Sequence, residues 1–307
     1  MGTCVSKSKA KREISREITR ERFRFVDGRR YHNNQNSRYA LPNDDVEIDR
    51  LQQQHFCLRF AWNGNFCAPI SDSLENHKAF VLDSGCGPGV WCLDMATNWP
   101  DVEFLGLDIS SVFPEEIKPK NVKFLEHNIL EGIPVDDGHF TFIHQRFLCG
   151  GIPIADWQGN ILKEFARICK PKGWVEFLES DTKFVSPSPN AEWLWTSCKF
   201  IKFWELRGMD VYIGLHLEDY LKNNGGFTNI HHDILDIPIG SWGGRLGQLV
   251  CEDLLLGLGA LKVPLASLMG ISVGEYETLL NNFEAGVNEY KTSWKQHRIY
   301  AQRIASS

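Results

Sequence analysis

A chain of 307 residues, 43% hydrophobic and 23% charged with a mean hydropathy of −0.27, is long enough for one substantial α/β domain with an added helical layer. No run approaches the ~18 apolar residues of a membrane span, which excludes a transmembrane body. The net charge of −6 is uneven: residues 1–30 carry ten Lys/Arg against four Asp/Glu, leaving −12 on the remainder. An acidic body argues against nucleic-acid binding, which depends on neutralising phosphates.

The first residues, Met1-Gly2-Thr3-Cys4-Val5-Ser6, form an N-myristoylation pattern on Gly2. One acyl chain anchors only marginally, so a second signal is needed. A palmitoylatable Cys4 and the basic set Lys7, Lys9, Lys11 and Arg12 could supply it. Residues 1–30 are therefore expected to be a solvated basic tail, with acylation giving peripheral membrane contact on the cytoplasmic side. The competing reading is a plain disordered tail, and a nuclear location stays open. Nine scattered cysteines include no Cys-x-x-Cys pair and no close His/Cys cluster. Reduced thiols and no metal centre are expected.

An N-terminal helical segment is assigned to residues 31–78. Tyr39 to Asp45 reads as a turn and N-cap, followed by a helix over about 45–60 with Ile48, Leu51, His55 and Leu58 along one face. That stripe reads as packing, with Tyr39 and His55 able to approach a pocket. The main domain is assigned to 79–307, where strand and helix alternate as a parallel sheet requires. Strands are expected at Ala79–Asp83, Val102–Leu107, Val122–Glu126, Phe140–Ile143, Trp174–Leu178 and Phe227–Ile234, with a closing edge strand at Gln296–Arg303. A helix is expected over 156–169. A helical cap over about 188–224 carries Trp193, Phe200 and Trp204 on one face, and further helices fall near 246–261 and 273–290.

The chemistry collects at strand ends. Asp83, Asp108, Asn128 and His144 each close an apolar run, and ligands of doubly wound sheets bind there. Gly85-Cys86-Gly87-Pro88-Gly89 forms a tight turn between the first strand and its helix. Asp108 stands about twenty residues past that turn, where an acid accepts both ribose hydroxyls. Asn128 is placed to address an adenine amino group, with Ile109 and Ile129 on either side of the base. Val90 stands where a dinucleotide fingerprint needs its third glycine, and Asp83 under the turn suits an ammonium better than a pyrophosphate. The spacing favours S-adenosylmethionine over a nicotinamide dinucleotide.

At these residues the chain resembles class I S-adenosylmethionine-dependent methyltransferases. The likeness rests on Val81-Leu82-Asp83-Ser84-Gly85-Cys86-Gly87-Pro88-Gly89, on Gly106-Leu107-Asp108-Ile109-Ser110, and on Lys170-Pro171-Lys172-Gly173-Trp174. Tyr39-Ala40-Leu41-Pro42-Asn43-Asp44, Asp49-Arg50-Leu51, His55 and Ile143-His144-Gln145-Arg146-Phe147 look like the fungal branch related to the LaeA regulators. The resemblance implies a Rossmann-like seven-stranded sheet of order 3-2-1-4-5-7-6, with strand seven antiparallel. It also implies cofactor contacts at Asp83, Gly85, Gly87, Gly89, Asp108 and Asn128; Cys86, within the turn, joins the candidate cofactor residues. Asn128 stands where many members carry Asp. The Asp/Asn-Pro-Pro-Tyr set of nucleic-acid amino-methyltransferases is missing after strand four, which argues against base methylation.

His144 is the candidate general base, since its unperturbed pKa suits the task. Tyr39, Arg146, Trp193, Phe200 and Trp204 are the candidate acceptor-pocket residues. The expected function is methyl transfer to a small molecule or a protein side chain. A SAM-binding regulatory module acting through a protein partner is the alternative, and a nicotinamide oxidoreductase is the remaining one.

Overall fold

The computed structural model describes residues 23–26, 28–33, 39–75, 79–192 and 200–305. Gly2, Cys4 and Trp193 lie outside them. The chain opens with strands β1 (Phe23–Val26) and β2 (Arg29–His32), paired antiparallel with Val26 opposite Arg29. This hairpin corrects the expectation of a solvated tail through residue 30. Helix α1 (Asp45–Ala61) begins at the expected turn, where the Asp44 carboxylate caps the Glu47 N–H at 3.1 Å. Asp44 also accepts from Arg29 Nη2 at 2.9 Å, which fastens the hairpin to the helix start. A short helix α2 (Ser71–Glu75) follows.

The sheet then builds from β3 (Phe80–Ser84), α3 (Val90–Asn98), β4 (Glu103–Asp108), β5 (Val122–Glu126), β6 (Phe140–Arg146), α4 (Leu162–Ile168) and β7 (Cys169–Val185). Its strands are near-continuous apolar runs because both faces are covered; Val81, Leu82, Phe142, Ile143 and Val175 have no exposed surface. Helices α5 (Phe200–Glu205) and α6 (Ile213–Asn224) lead to β8 (Phe227–Pro238). Helices α7 (Gly244–Ala260), α8 (Lys262–Met269) and α9 (Val273–Glu289) then lead to β9 (Ser293–Arg303). The order across the sheet is β5-β4-β3-β6-β7-β9-β8, with β9 antiparallel to both neighbours. Counted along the sheet strands alone, this is the expected 3-2-1-4-5-7-6.

The last strand is nevertheless not an edge. It lies between β7 and β8, and β8 takes the edge. Gln296, His297 and Arg298 are buried there: Arg298 Nε lies 3.4 Å from Glu176 Oε1, and its guanidinium sits 4.6 Å over the Trp62 ring. The other Glu176 oxygen takes the Cys67 and Ala68 N–H groups at 2.8 and 2.7 Å. One buried acid thus ties the end of the N-terminal segment to the middle of the sheet.

The helical layer is also larger than a cap over 188–224. Ile213, Leu217 and Leu221 of α6 pack on the sheet with Phe177, Ile299 and Ala301. Helices α7 to α9 form a second core with α5 and the end of α1, built on Tyr276, Phe283 and Val287. The expected helix over 156–169 is two pieces, a π-turn at Trp157–Ile161 and then α4.

Lys170-Pro171-Lys172-Gly173 bulges out of β7: Phe140 pairs with Cys169 while Phe142 already pairs with Trp174. A Cβ on Gly173 would stand 2.8 Å from the Thr141 carbonyl oxygen and 2.9 Å from that of Lys170. Both are backbone atoms that cannot swing away. Gly173→Ala is expected to lower stability by about 1–3 kcal/mol. Gly159→Ala, with nothing within 4 Å of the new methyl, should leave it unchanged or slightly raised, as urea midpoints would show.

Candidate functional site

A cleft lies beyond the carboxyl ends of β3, β4, β5 and β6. Its floor is the glycine turn with Asp108, Ile109 and Ser110, and one end is closed by His127, Asn128 and Ile129. The end of β6 and the loop after it contribute Arg146, Phe147 and Leu148, and the roof comes from His32, Tyr39, Asn43, Glu47, Ile48 and Leu51. Two features seen in sequence as separate, the N-terminal segment and the strand ends, therefore face each other across one space. Asn43 Nδ2 donates to Ser110 Oγ at 2.7 Å, joining roof to floor.

The turn is clamped to β4. Gly85 and Cys86 N–H groups both donate to the Leu107 carbonyl, at 2.7 and 3.0 Å, and Gly87 N–H donates to Asp108 Oδ2 at 2.8 Å. Gly89 N–H returns to the Cys86 carbonyl at 2.9 Å. With Pro88 lacking a donor, every N–H from residue 85 to 89 is already used. The turn is thus no phosphate cradle, which relies on such groups pointing at the ligand. Gly85 has φ +71° and a Cβ there would strike Leu148 at 2.5 Å, so glycine is required at the base of the turn.

Asp108 is half-buried at the cleft wall. Its other oxygen takes the Ser110 N–H at 2.9 Å, and desolvation raises its pKa to about 6. The Gly87 and Ser110 N–H groups thus hold one oxygen each, and the Ile109 N–H also stabilises the carboxylate. Asn128 caps a single 3-10 turn: its Oδ1 accepts the Leu130 N–H at 3.1 Å and its Nδ2 donates to Glu131 at 3.2 Å. Of the residues expected around a cofactor, Gly85, Cys86, Gly87, Asp108, Ile109, Asn128 and Ile129 line the cleft. Gly89 instead shapes the start of α3 under the Phe124 ring.

Asp83 and His144 lie behind that wall. His144 Nδ1 is 2.8 Å from Asp83 Oδ1, and its ring stacks on Trp91 at 4.0 Å with 2° between planes. Only 1% of His144 is exposed, and burial lowers its pKa. The expected base therefore has no face on the cleft. The reason is local: β6 runs on to Arg146, three residues beyond the expected end, so His144 belongs to the sheet interior.

Arg146 does line the cleft. Its Nη1 lies 3.4 Å from His55 Nδ1, and burial lowers its pKa to about 10, leaving it charged at neutral pH. A guanidinium can only donate, so Nδ1 of His55 accepts and Nε2–H donates to Asp94 at 3.0 Å. Burial, helped by Arg146, lowers the His55 pKa to about 4, which agrees with that neutral ring. Tyr39 lines the cleft as expected. Phe200 and Trp204 do not. They meet edge-on at 6.2 Å within the second core, Trp204 being 7% exposed, because the aromatic face of α5 packs inward.

Two supporting groups escaped sequence reasoning. Arg50 donates to Glu47 at 2.6 and 2.9 Å and to Asp253 at 2.7 Å, pinning α1 to α7 from 203 residues away. Glu179, pushed up to about 8 by burial, accepts the Leu148 N–H at 2.8 Å and holds the loop that backs Gly85. Its place just after the expected strand Trp174–Leu178 was the one available signal for it, although β7 runs on past it to Val185.

A methyltransferase-domain family matches residues 58–232. Three relatives illustrate the range. The N-methyltransferase verN of Clonostachys rogersoniana is 26% identical, with 86% of this chain and 92% of that protein aligned. The methyltransferase pytC of Aspergillus terreus is 31% identical over 72% of this chain and 67% of its own length. The protein-methionine methyltransferase laeA of Emericella nidulans is 27% identical over 74% of this chain and 60% of its own. The chain belongs to the S-adenosylmethionine-dependent methyltransferases, in their fungal LaeA-like branch, and S-adenosylmethionine is its cofactor.

Proposed function

We propose that the cleft holds S-adenosylmethionine through Asp108, Asn128, Ile109, Ile129 and the glycine turn, and that its methyl group passes to a small molecule or a protein side chain. The observation that carries this reading is the Asp108 carboxylate, fixed by Gly87 and Ser110 yet open to the cleft. Its remaining lone pairs suit two ribose hydroxyls. Asn128 and the two isoleucines suit an adenine edge and its faces. Asp83 lies under the turn as a negative charge toward the amino-acid end, and His144 holds it in place rather than taking a proton from the acceptor.

The bound cofactor supplies an electrophilic methyl on a sulfonium. The chain's own contribution is positioning, because an in-line displacement gains most from aligning its two reactants. Gly85 backed by Leu148, and the Asn43–Ser110 contact, fix the floor and roof between which the reactants meet. Tyr39 and Arg146 border the part of the cleft assigned to the acceptor.

Methyl transfer from labelled S-adenosylmethionine to cell extract or a metabolite library tests the assignment. The wild-type chain is expected to transfer label, and Asp108→Ala to lose it by at least about tenfold. Affinity for S-adenosylhomocysteine should fall as pH drops through about 6, where Asp108 takes up a proton, reaching about tenfold weaker at pH 5 than at 7.5. Asp108→Asn should flatten that dependence. A second reading, regulation by partner contact with little turnover, draws support from relatives named as secondary metabolism regulators. Binding of cofactor without label transfer above the Asp108→Ala background would favour it.

The same proposal extends to the N-terminus, where Gly2 and Cys4 are acylated and the basic tail meets an anionic cytoplasmic membrane surface. Among the described residues no helix is long and apolar enough to cross a membrane. Labelled myristate should enter the wild-type chain in a eukaryotic host and not Gly2→Ala; equal labelling of both, or none, contradicts the anchor.

A further inference from the structure

We propose that the methyl acceptor is an anionic small molecule, bearing a carboxylate or phosphate beside an apolar body, seated in a basic groove beyond Tyr39. This rests on the methyl-transfer reading of the cleft. The groove runs between the β1–β2 hairpin, the end of α5 and the start of α8. Arg24, Arg29, Arg207 and Lys262 border it, with Tyr31 and Phe203 as aromatic walls.

Three observations converge on it. First, Tyr39 borders both the cleft and the groove, so the two spaces share a wall. Strand β2 serves both as well: Tyr31 lines the groove and the next residue, His32, lines the cleft, as alternation along a strand requires. Second, among the described residues the lining holds four cations and no Asp or Glu, in a chain whose net charge is −6. A concave surface of one sign concentrates ligands of the other.

Third, the cations are set against aromatic surface. Arg207 lies 3.7 Å from the Phe203 ring centroid and Arg24 lies 5.6 Å from that of Tyr31. Burial lowers the Arg207 pKa, the mark of a partly desolvated cation that gains from a nearby anion. Arg29 and Lys262 already pair with Asp44 and Glu277, so they add field at the rim rather than a dedicated contact. A charged head with an aromatic or aliphatic body matches this lining.

A matched pair of probes tests it, 1-naphthyl phosphate and 1-naphthol, titrated into the full chain with and without S-adenosylhomocysteine. The phosphate is expected to bind at least about tenfold tighter than the naphthol. The Arg24→Gln/Arg207→Gln double variant should erase that preference while keeping S-adenosylhomocysteine affinity. Lys262→Gln, at a side chain 43% exposed, should trim the preference by about threefold and guards against a misfolded double variant. Equal binding of the two probes to wild type, or a preference that survives in both variants, overturns the groove. Loss of S-adenosylhomocysteine binding by wild type would contradict the cofactor reading instead, and the probe ratio measured without it still decides the groove.

Discussion

The carboxylate of Asp108 is the fixed point from which the site is built. It takes the Gly87 N–H on one oxygen and the Ser110 N–H on the other, so one side chain ends β4, pins the glycine turn and orders the loop after β4. The Leu107 carbonyl completes the clamp by accepting from Gly85 and Cys86. A turn fastened this way spends its donors internally, and what it offers the cleft is close approach and shape. That is the physical difference between a pocket for an uncharged ribose and a cradle for pyrophosphate. Burial raises the Asp108 pKa to about 6, so the same group is poised to change charge state just below neutral pH.

The roof depends on a second, costlier constraint. Glu47, Arg50 and Asp253 are 2%, 7% and 6% exposed, so an ion cluster is held out of water between α1 and α7. Such clusters contribute little net stability, and their attested use is to fix register. Here the register matters because Glu47, Ile48 and Leu51 of α1 line the cleft. Trading the ions for apolar side chains would keep the packing but free α1 to slide over the site. Asn43 and the hairpin fastened by Asp44 hold the other end of the roof. Under the proposed function, Tyr39 and Arg146 border the acceptor side of the cleft.

Much of this was legible in the sequence because strand ends announce themselves. Asp83, Asp108, Asn128 and His144 each follow an apolar run; Asp108 and Asn128 behave as boundary residues, while Asp83 is buried inside β3 against His144. His144 broke the rule. Polar residues normally end buried strands, but His144 and Gln145 stay inside the sheet, paired with Asp83 and with Ser84. The terminal strand misled in the same way: Gln296, His297 and Arg298 look like edge chemistry yet are buried. The hairpin was hidden by its arginines, although Asp27-Gly28 is a strong two-residue turn signal. Trp204 read as pocket lining because an aromatic helix face carries no mark of which side it covers. The pairing of Arg50 with Asp253 spans 203 residues and leaves no local pattern to find.

The central claim is that the clamped turn and Asp108 receive an adenosyl ligand without phosphates. Calorimetric titration of the ligand-free chain with S-adenosylhomocysteine and with NADH, under one buffer condition, tests it most directly. Saturable one-to-one binding of S-adenosylhomocysteine and no measurable heat from NADH are expected. Saturable binding of NADH, displaced by S-adenosylhomocysteine poorly or not at all, would contradict it.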